Sequence, residues 1–406
     1  MKKNLSKPEL VAPAGNWSAL KSAVNSGADS VYFGVKGLNM RNLASNFDLS
    51  EIKKLVSVLH KSKKRAYLAL NVIIYNKEIN KVKKILTEAK KGKVDGVILW
   101  DMAVFKLAKE LDLPIHLSTQ ASVSNFLALK NYSAQGVKRV VLARECRLSE
   151  IKAIASEIKK QAINCKIEAF VHGAMCISVS GRCFLSEYSF SKSANRGECL
   201  QPCRRKFLIT DSDDESQYIL GKDYLLSPKD LCTIDFIDQL IESGISAFKI
   251  EGRIRSSEYV SVVTSVYRRA IDAYFFGCLT KKLKAELKKE LATVYNRGFS
   301  SGFYFGKPKD STSRNLDSSY EKVYVGEVIK FYKKIGVAEI WVRDHDLKKG
   351  DRILCVGKAT PASFAMVSDI QINHAFVDQL KRGEKGGLKV PFTLKRNDKV
   401  FIWRKK

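Results

Sequence analysis

Five of the nine cysteines in this chain fall between residues 176 and 232. They are Cys176, Cys183, Cys199, Cys203 and Cys232. Thiolates bind zinc and iron–sulfur clusters, and four of them complete either site. Structural zinc sites favour paired CxxC ligands, which this chain lacks, so the spacing favours a cluster. The alternative is a group of buried thiols without a ligand, the expected state of the isolated Cys146, Cys165, Cys278 and Cys355.

Composition indicates a soluble protein with at least one large core. Hydrophobic residues make up 45% of the 406 residues, yet no run of about 18 apolar residues could span a membrane. Residues 1–15 lead directly into a strand-like segment without an apolar signal region, so we expect a cytoplasmic location and no membrane partner. The odd number of cysteines argues against a disulfide framework.

The net charge of +29 would attract a polyanion, and RNA is the obvious candidate. A lysine-rich proteome is an equally acceptable explanation. Many of the lysines fall on predicted helix faces, such as residues 77–93 and 281–289, where water would simply solvate them.

Short apolar runs alternate with amphipathic helical stretches, the pattern of consecutive βα units around a parallel sheet. Eight strands are predicted, at Leu10–Ala12, Ser30–Gly34, Arg65–Ile74, Gly96–Trp100, Ile115–Ser118, Arg139–Ala143, Lys166–His172 and Ala247–Glu251. Helices are predicted between them, for example at Trp17–Ser26, Leu49–Lys61, Met102–Leu111 and Leu148–Gln161. Eight units predict an α/β fold, a TIM-type (β/α)8 barrel, over residues 1–306.

The seventh and eighth strands are separated by far more residues than a βα connection needs. We therefore predict an insertion at about residues 173–245 that carries the clustered cysteines. It should contain a hairpin, Arg205–Thr210 with Tyr218–Leu220 around the acidic turn Asp211–Glu215, and a helix near Thr233–Ser243. Because loops after the strands form the catalytic face of such barrels, the insertion should open onto the active-site mouth.

A long helix is predicted at Ser257–Phe276, and the pattern changes after a linker at residues 307–320. From 321 to 406, apolar and polar residues alternate in short runs, which predicts a small antiparallel β domain resembling a barrel. Its strands are predicted at Val323–Ile329, Val337–Val342, Arg352–Val356 and Phe401–Trp403.

The run from Glu168 to Cys183, EAFVHGAMCISVSGRC, resembles the signature of the collagenase-like peptidase family, peptidase family U32. Further matching segments are Glu9–Asn16, Gly27–Gly34, Leu117–Gln120, Ser227–Leu231, Lys249–Arg253 and Asn296–Phe299. Branches of this family hydroxylate the wobble uridine of tRNA, a ribosomal RNA cytidine or the ubiquinone ring. The resemblance implies a cysteine-bound 4Fe–4S cluster and, in the RNA-modifying branches, a requirement for prephenate.

By this resemblance the cluster ligands are Cys176, Cys183, Cys199 and Cys232, with Cys203 outside the ligand set. Chain length and the terminal β domain are most similar to the branch that makes 5-hydroxyuridine in tRNA. The resemblance thus implies oxygen-independent, prephenate-dependent hydroxylation of the wobble uridine by an iron–sulfur enzyme. Hydroxylation of ribosomal RNA cytidine or of a quinone ring is an alternative. Besides tRNA and prephenate or a similar dicarboxylate, a redox protein or a paralogue is a candidate partner.

Polar residues at or just past the strand ends should surround the mouth of the barrel. Arginines pair with carboxylates through two hydrogen bonds, so a dicarboxylate site is predicted from Arg41, Arg144 and Arg253, with Asn71 beside them. Candidate catalytic residues are His172, Gln120 and Glu251, since His172 could donate or accept a proton. For each residue, a structural ion pair or strand cap is the alternative.

A peptidase is the competing function. It needs an activated nucleophile or a hydrolytic metal site, and the sequence contains neither G-x-S-x-G nor H-E-x-x-H. Cys176 and His172 could form a thiol–imidazole pair, but a cysteine that ligates a cluster cannot also attack an amide. A third alternative is a non-catalytic RNA-binding protein in which the cluster only stabilises the fold. Tyr259 and Tyr267, beside Arg268 and Arg269, could contact RNA, although their helical spacing favours the core.

Overall fold

A computed structural model describes residues 5–205, 208–210, 213, 217–219, 227–306 and 318–405. The strands up to residue 306 are β1 (Glu9–Ala14), β2 (Ser30–Gly34), β3 (Arg65–Ala69), β4 (Gly96–Leu99), β5 (Ile115–Leu117), β6 (Val137–Val141), β7 (Lys166–Gly173), β8 (Leu208–Thr210), β9 (Gln217–Ile219), β10 (Asp230–Cys232), β11 (Ala247–Ile250) and β12 (Phe299–Ser300). The helices are α1 (Trp17–Asn25), α2 (Ile52–Lys61), α3 (Ile79–Lys91), α4 (Met102–Glu110), α5 (Phe126–Ala134), α6 (Leu148–Lys160), α7 (Leu185–Phe190), α8 (Ile237–Glu242), α9 (Ser257–Phe275) and α10 (Lys281–Leu291).

The predicted barrel is confirmed. Strands β1 to β7 pair in parallel in sequence order, and β11 closes the ring by pairing with both β1 and β7. Apolar side chains on the outer face of the strands pack against the helices in one continuous core. This burial on both faces explains why the strand sequences are almost wholly apolar.

Side-chain caps fix where several helices begin after their strands. The Asn16 side chain accepts from the backbone N–H of Ala19 at 2.8 Å, and Asp101 accepts from Ala103 at 2.9 Å. Such caps satisfy donors that the first helical turn leaves free. They hold the βα loops at the carboxyl ends of the strands, where the predicted site residues lie.

The third strand is shorter than predicted. It ends at Ala69 rather than Ile74, because the next residues turn into the barrel mouth. There the carbonyl of Asn71 accepts hydrogen bonds from Trp100 Nε1 at 3.0 Å and from Gln120 Nε2 at 3.1 Å. Side-chain donors thus replace the partners that a longer strand would need.

Between β7 and β11 the chain forms the predicted insertion. Its hairpin is confirmed, since β8 and β9 pair antiparallel; the acidic turn lies outside the described residues except Asp213. The predicted helix near 233–243 is shorter, with a 3-10 turn at Ile234–Phe236 before α8. Strand β10, which pairs antiparallel with β7 and parallel with β12, was not predicted.

Residues from 320 onward form short antiparallel strands. They are β13 (Tyr320–Tyr332), β14 (Val337–Val342), β15 (Leu347–Lys348), β16 (Arg352–Val356), β17 (Ser363–Met366), β18 (Ile370–Ile372), β19 (Ala375–Val377), β20 (Gln379–Leu380), β21 (Lys385–Lys389) and β22 (Lys399–Lys405). Eight of them form one curled sheet, and alternate residues, as in β14, are buried on one face. Most of the predicted linker lies outside the described residues.

The β domain docks on the helices beside the barrel mouth. Ser18 Oγ in α1 donates to the carbonyl of Thr360 at 2.7 Å, and Lys322 in β13 pairs with Glu258 in α9 at 2.9 Å. In α9, Tyr259 and Tyr267 are almost fully buried, which confirms their assignment to the core. None of the helices in the described part of the chain is long and apolar enough to cross a membrane.

Candidate active site

Residues that follow four different strands converge at the mouth of the barrel. Asn71, Gln120, Arg144 and Glu251 come within three residues after the ends of β3, β5, β6 and β11. Together with Arg41, Lys249, Arg253 and others, they line a cavity of about 50 Å³, here called the arginine cavity. Six of the seven residues predicted for the mouth therefore share one cavity, and His172 is the exception.

Glu251 is the carboxylate at the centre of this cluster. Its Oε2 lies 3.2 Å from Arg41 Nη2 and 3.4 Å from Arg144 Nη2, and its Oε1 accepts from Arg41 Nε at 3.2 Å. Burial alone would raise the pKa of Glu251, but Arg41, Arg144 and Arg253 outweigh it and hold the pKa below its ordinary value. Glu251 is therefore ionised at neutral pH.

The arginine cavity has an excess of positive charge. Lys249 pairs with Glu168 at 2.7 Å, which leaves the Arg41, Arg144 and Arg253 guanidinium groups against the single carboxylate of Glu251. The buried Nε atoms of Arg144 and Arg253 also have no hydrogen-bond partner. Burial, reinforced by Arg41 and opposed by Tyr32 and Glu251, lowers the pKa of Arg253 to about 10. The group remains charged at neutral pH. Unpaired buried donors in a positive cavity favour an anionic ligand.

Two amide side chains form the other wall. Asn71 Nδ2 donates to Gln120 Oε1 at 3.1 Å, Ser118 Oγ donates to the same oxygen, and Asn71 Oδ1 accepts from the backbone N–H of Met40 at 3.3 Å. These bonds fix both amides in one orientation. A fixed amide can distinguish a donor from an acceptor on a bound molecule.

The insertion forms a second cavity next to the first. It measures about 150 Å³ and is lined by Cys176, Cys183, Cys199 and Cys203, so it is called the thiol cavity. Arg41, Arg144 and Glu251 line both cavities. The arginine–glutamate cluster is therefore the wall between a predicted anion site and the clustered cysteines.

Three of the thiols share one local geometry. Cys176 Sγ accepts from the N–H of Ser178, Cys183 Sγ from Leu185 and Cys199 Sγ from Gln201, each at 3.4 Å. In every case the donor lies two residues after the cysteine. Backbone N–H groups aimed at sulfur stabilise a thiolate or a metal-bound sulfur, and such bonds tune iron–sulfur centres.

The fourth thiol beside these three is Cys203, not Cys232. Cys232 is buried on β10, does not line the thiol cavity, and has its sulfur 4.0 Å from Tyr267 Oη. Burial raises the pKa of the Cys232 thiol to about 11. Burial also raises the pKa of Cys203, but that thiol faces the cavity. The assignment of Cys232 as a ligand stays a prediction. The geometry makes Cys203 the alternative candidate for the fourth ligand.

The donor chemistry of the thiol cavity fits a thiolate-bound centre. Four sulfurs face one space, and Arg204 and Arg255 add positive charge to its lining. Burial raises the pKa of the Cys199 and Cys203 thiols, so these two would lose their protons on binding a metal. Within the described ranges, no three His, Cys, Asp or Glu side chains are already grouped closely enough to hold a metal ion. The cysteine side chains would therefore turn inward on binding a cluster.

His172 lies away from both cavities. It is 1% exposed, its Nδ1 is 3.4 Å from Tyr267 Oη, and its ring packs near Phe299. Burial, with Arg255 acting in the same direction, lowers its pKa to about 3. This neutral, enclosed imidazole stays an untested catalytic prediction, and it does not form a thiol–imidazole pair with the cavity-lining Cys176.

An ion-pair network below the arginine cavity was not predicted. Arg139 bridges Glu9 at 2.6 Å and Glu168 at 3.0 Å, and Glu168 in turn holds Lys249. All of these side chains are buried. Lys249 also lies 4.5 Å from the centre of the Tyr32 ring. Lys249 lies on β11 two residues before Glu251, which follows the strand, and both line the arginine cavity. This spacing of two is the sequence signal that could have found Lys249.

The thiols and arginines lie at the carboxyl ends of the strands of a closed parallel barrel, which is where barrel proteins of this type carry their active sites. The chain belongs to peptidase family U32, whose family model matches residues 15–314.

Relatives of the chain carry names of two kinds. It is 43% identical over 404 residues to an uncharacterised protease of Methanocaldococcus jannaschii, covering 97% of this chain and 98% of that one. A collagenase of Porphyromonas gingivalis is 35% identical over 412 residues, with 99% of both chains covered. The tRNA hydroxylation protein P1 of Bacillus subtilis is 35% identical over 355 residues, covering 86% of this chain and 83% of that one.

Proposed function

We propose that this chain is a cytoplasmic tRNA-modifying enzyme that hydroxylates the wobble uridine to 5-hydroxyuridine, without molecular oxygen and with prephenate as co-substrate. The observation that carries the proposal is the wall shared by the two cavities, in which Arg41 and Arg144 hold Glu251. It joins the proposed anion site to a thiol-lined space at the carboxyl end of the barrel strands. The relative named as a tRNA hydroxylation protein supports the choice of RNA.

The arginine cavity is proposed to bind a dicarboxylate such as prephenate. Three guanidinium groups against one carboxylate leave two positive charges, which match two ligand carboxylates. A space of about 50 Å³ suits one carboxylate head rather than the whole molecule, and the second carboxylate would pair with Arg41 or Arg144 on the side of the thiol cavity, which both also line. The remainder of the ligand would extend past Glu251 toward the thiol cavity. Asn71 and Gln120 would orient it through their fixed amides.

The thiol cavity is proposed to hold a 4Fe–4S cluster on Cys176, Cys183, Cys199 and either Cys203 or Cys232. When bound, such a cluster supplies one-electron or Lewis-acid chemistry. Arg204 and Arg255 would offset its negative charge. Glu251 would hold Arg41 and Arg144 in place and, once the anion competes for them, accept a proton at Oε2. A redox protein or a paralogue is the proposed partner.

Nucleoside analysis tests the function most directly. We expect mass spectrometry of tRNA from a deletion strain to lack 5-hydroxyuridine-derived nucleosides, and a plasmid copy of the gene to restore them. A Glu251→Gln copy should restore them poorly, whereas Glu88→Gln, on the solvent side of α3, should complement fully. Unchanged nucleosides in the deletion strain would refute the proposal. A missing cytidine modification in ribosomal RNA would instead support the alternative substrate.

Peptidase activity is the second candidate, favoured by the relative named as a collagenase. In the described part of the chain no histidine lines either cavity, so a cysteine nucleophile would lack an imidazole base there. Purified chain should therefore leave gelatin and denatured collagen intact. Cleavage that disappears in Cys176→Ser but persists in Cys355→Ser, a buried cysteine of the β domain, would favour the peptidase.

A further inference from the structure

Two aromatic side chains stand in solvent at the rim of the thiol cavity. Phe184 is 64% exposed and Tyr188 is 85% exposed. Phe184 lies between Cys183 and Leu185, both of which line the cavity. Exposed apolar surface is informative where it is clustered beside a site, because such a patch marks a binding surface. These two residues are here called the aromatic rim.

The aromatic rim is held in place but its ring faces remain available. The backbone N–H of Tyr188 donates to the carbonyl of Phe184 at 3.0 Å, and Ser186 Oγ accepts from Leu200 N–H at 3.0 Å, which ties α7 to the loop of Cys199. The two ring centres are 6.1 Å apart with the planes tilted by 50°. Because the rings do not lie flat on each other, either can receive another planar group.

The surroundings of the aromatic rim are positive. Residues 173–205 contain five basic and two acidic residues, a net charge of +3. Arg182 is exposed next to Cys183, and Arg255 also lines the thiol cavity. A ligand that fits must combine planar apolar surface with negative charge. Unpaired nucleotides in RNA do so, since their bases stack on aromatic side chains and their phosphates pair with arginine.

We infer that Phe184 and Tyr188 form a stacking platform for an unpaired RNA base adjacent to the base being modified, with Arg182 contacting the neighbouring phosphate. The inference rests on the proposed function and specifies how that site takes its substrate. A base stacked on the platform leaves the next nucleotide above the thiol cavity, because Cys183 and Leu185 connect the two. The substrate class is thus a single-stranded loop rather than a continuous duplex.

The test compares the full-length Phe184→Ala/Tyr188→Ala double variant with a matched control, Phe276→Ala/Phe376→Ala. Phe276 and Phe376 are 82% and 72% exposed and lie away from both cavities. Binding of a fluorescein-labelled anticodon stem-loop is measured by anisotropy at fixed salt. We expect the rim variant to bind about tenfold more weakly and the control to match the wild type. The conservative Phe184→Tyr/Tyr188→Phe variant should recover wild-type affinity.

The outcomes separate this inference from the proposed function. Unchanged affinity in the rim variant would overturn the platform, even when the deletion strain lacks the modified nucleoside. Unchanged nucleosides in the deletion strain would overturn the proposed function whatever the rim variant binds. If light scattering shows that the rim variant loses self-association while keeping its affinity for RNA, the surface is a protein interface and the inference fails. Equal weakening in the control variant would likewise contradict it.

Discussion

Arg41 and Glu251 form a two-point ion pair at the mouth of the barrel, with Nε to Oε1 and Nη2 to Oε2 both at 3.2 Å. Arg144 lies 3.4 Å from the same Oε2. One carboxylate therefore compensates two partly buried guanidinium groups. The electrostatics of both cavities depend on it, because all three side chains line both spaces.

Removing the charge of Glu251 should destabilise the fold. In Glu251→Gln, Arg41 and Arg144 lose their counter-ion in a partly buried setting, which costs roughly 2 kcal/mol of unfolding free energy. Urea unfolding measures this loss. Glu88→Gln, which breaks the exposed pair with Lys91 on α3, should cost at most about 0.5 kcal/mol. Equal effects of the two changes would show that the cluster is not structurally important.

Arg253 should contribute to anion affinity. Its Nη1 donates to Asn39 Oδ1 at 2.9 Å, while its Nε has no partner. Since a hydrogen bond to a charged group is worth about 1.5–3 kcal/mol, Arg253→Met should weaken prephenate binding by about tenfold or more. Isothermal titration calorimetry measures this. Arg343→Met in the β domain is the control, and similar affinities for both variants would argue against the proposed dicarboxylate site.

Iron content should identify the fourth ligand. Because Cys203 faces the thiol cavity, we expect Cys203→Ser to lose more than about half of the iron and of the visible absorbance after anaerobic reconstitution. Cys355→Ser, in the β domain, should retain both. Loss in Cys232→Ser with retention in Cys203→Ser would restore the ligand set implied by the family resemblance. The chain would then rearrange around the cluster on binding.

Gly197 should be required for the loop that carries Cys199. Its φ is +82°, and a Cβ there would collide with the carbonyl oxygen of Asn39. Gly277 has a similar φ of +75° but open space around the same position. Gly277→Ala should therefore cost only the backbone strain, about 1 kcal/mol. Gly197→Ala should cost more in thermal unfolding and also lower the iron content; equal behaviour of the two variants would contradict this.

Stability should fall on acidification through His116. Burial, reinforced by Arg139 and despite Glu9, holds the pKa of His116 well below its ordinary value of 6.5. At acidic pH His116 binds a proton in the unfolded chain but not in the folded chain, so stability is lost as pH falls below about 6.5. Between pH 7 and pH 5 this histidine should therefore lower the unfolding free energy.

Urea unfolding at both pH values tests this contribution. The difference in unfolding free energy should shrink in His116→Phe, which keeps a ring against Tyr67. It should be unchanged in His374→Asn, since His374 is exposed in the β domain. An identical pH dependence in wild type and His116→Phe would rule out this histidine as the source.

The sequence by itself determined the barrel and most of its mouth. Strand and helix periods are local properties of the chain, and eight βα units can bury their apolar faces in few ways. The carboxyl ends of parallel strands meet at one end of a barrel. This is why Asn71, Gln120, Arg144 and Glu251 could be placed together without coordinates.

Only the tertiary structure decided which side chains reach which space. His172 and Cys232 are opposite each other on the paired strands β7 and β10, and both are enclosed away from the cavities. Their positions could not be predicted, because β10 has no strong local signal in the sequence. Cys203 reaches the thiol cavity through a loop whose path depends on distant contacts, such as Gly197 against Asn39. The wall of Arg41, Arg144 and Glu251 joins residues from three separate segments, and no local pattern encodes that contact.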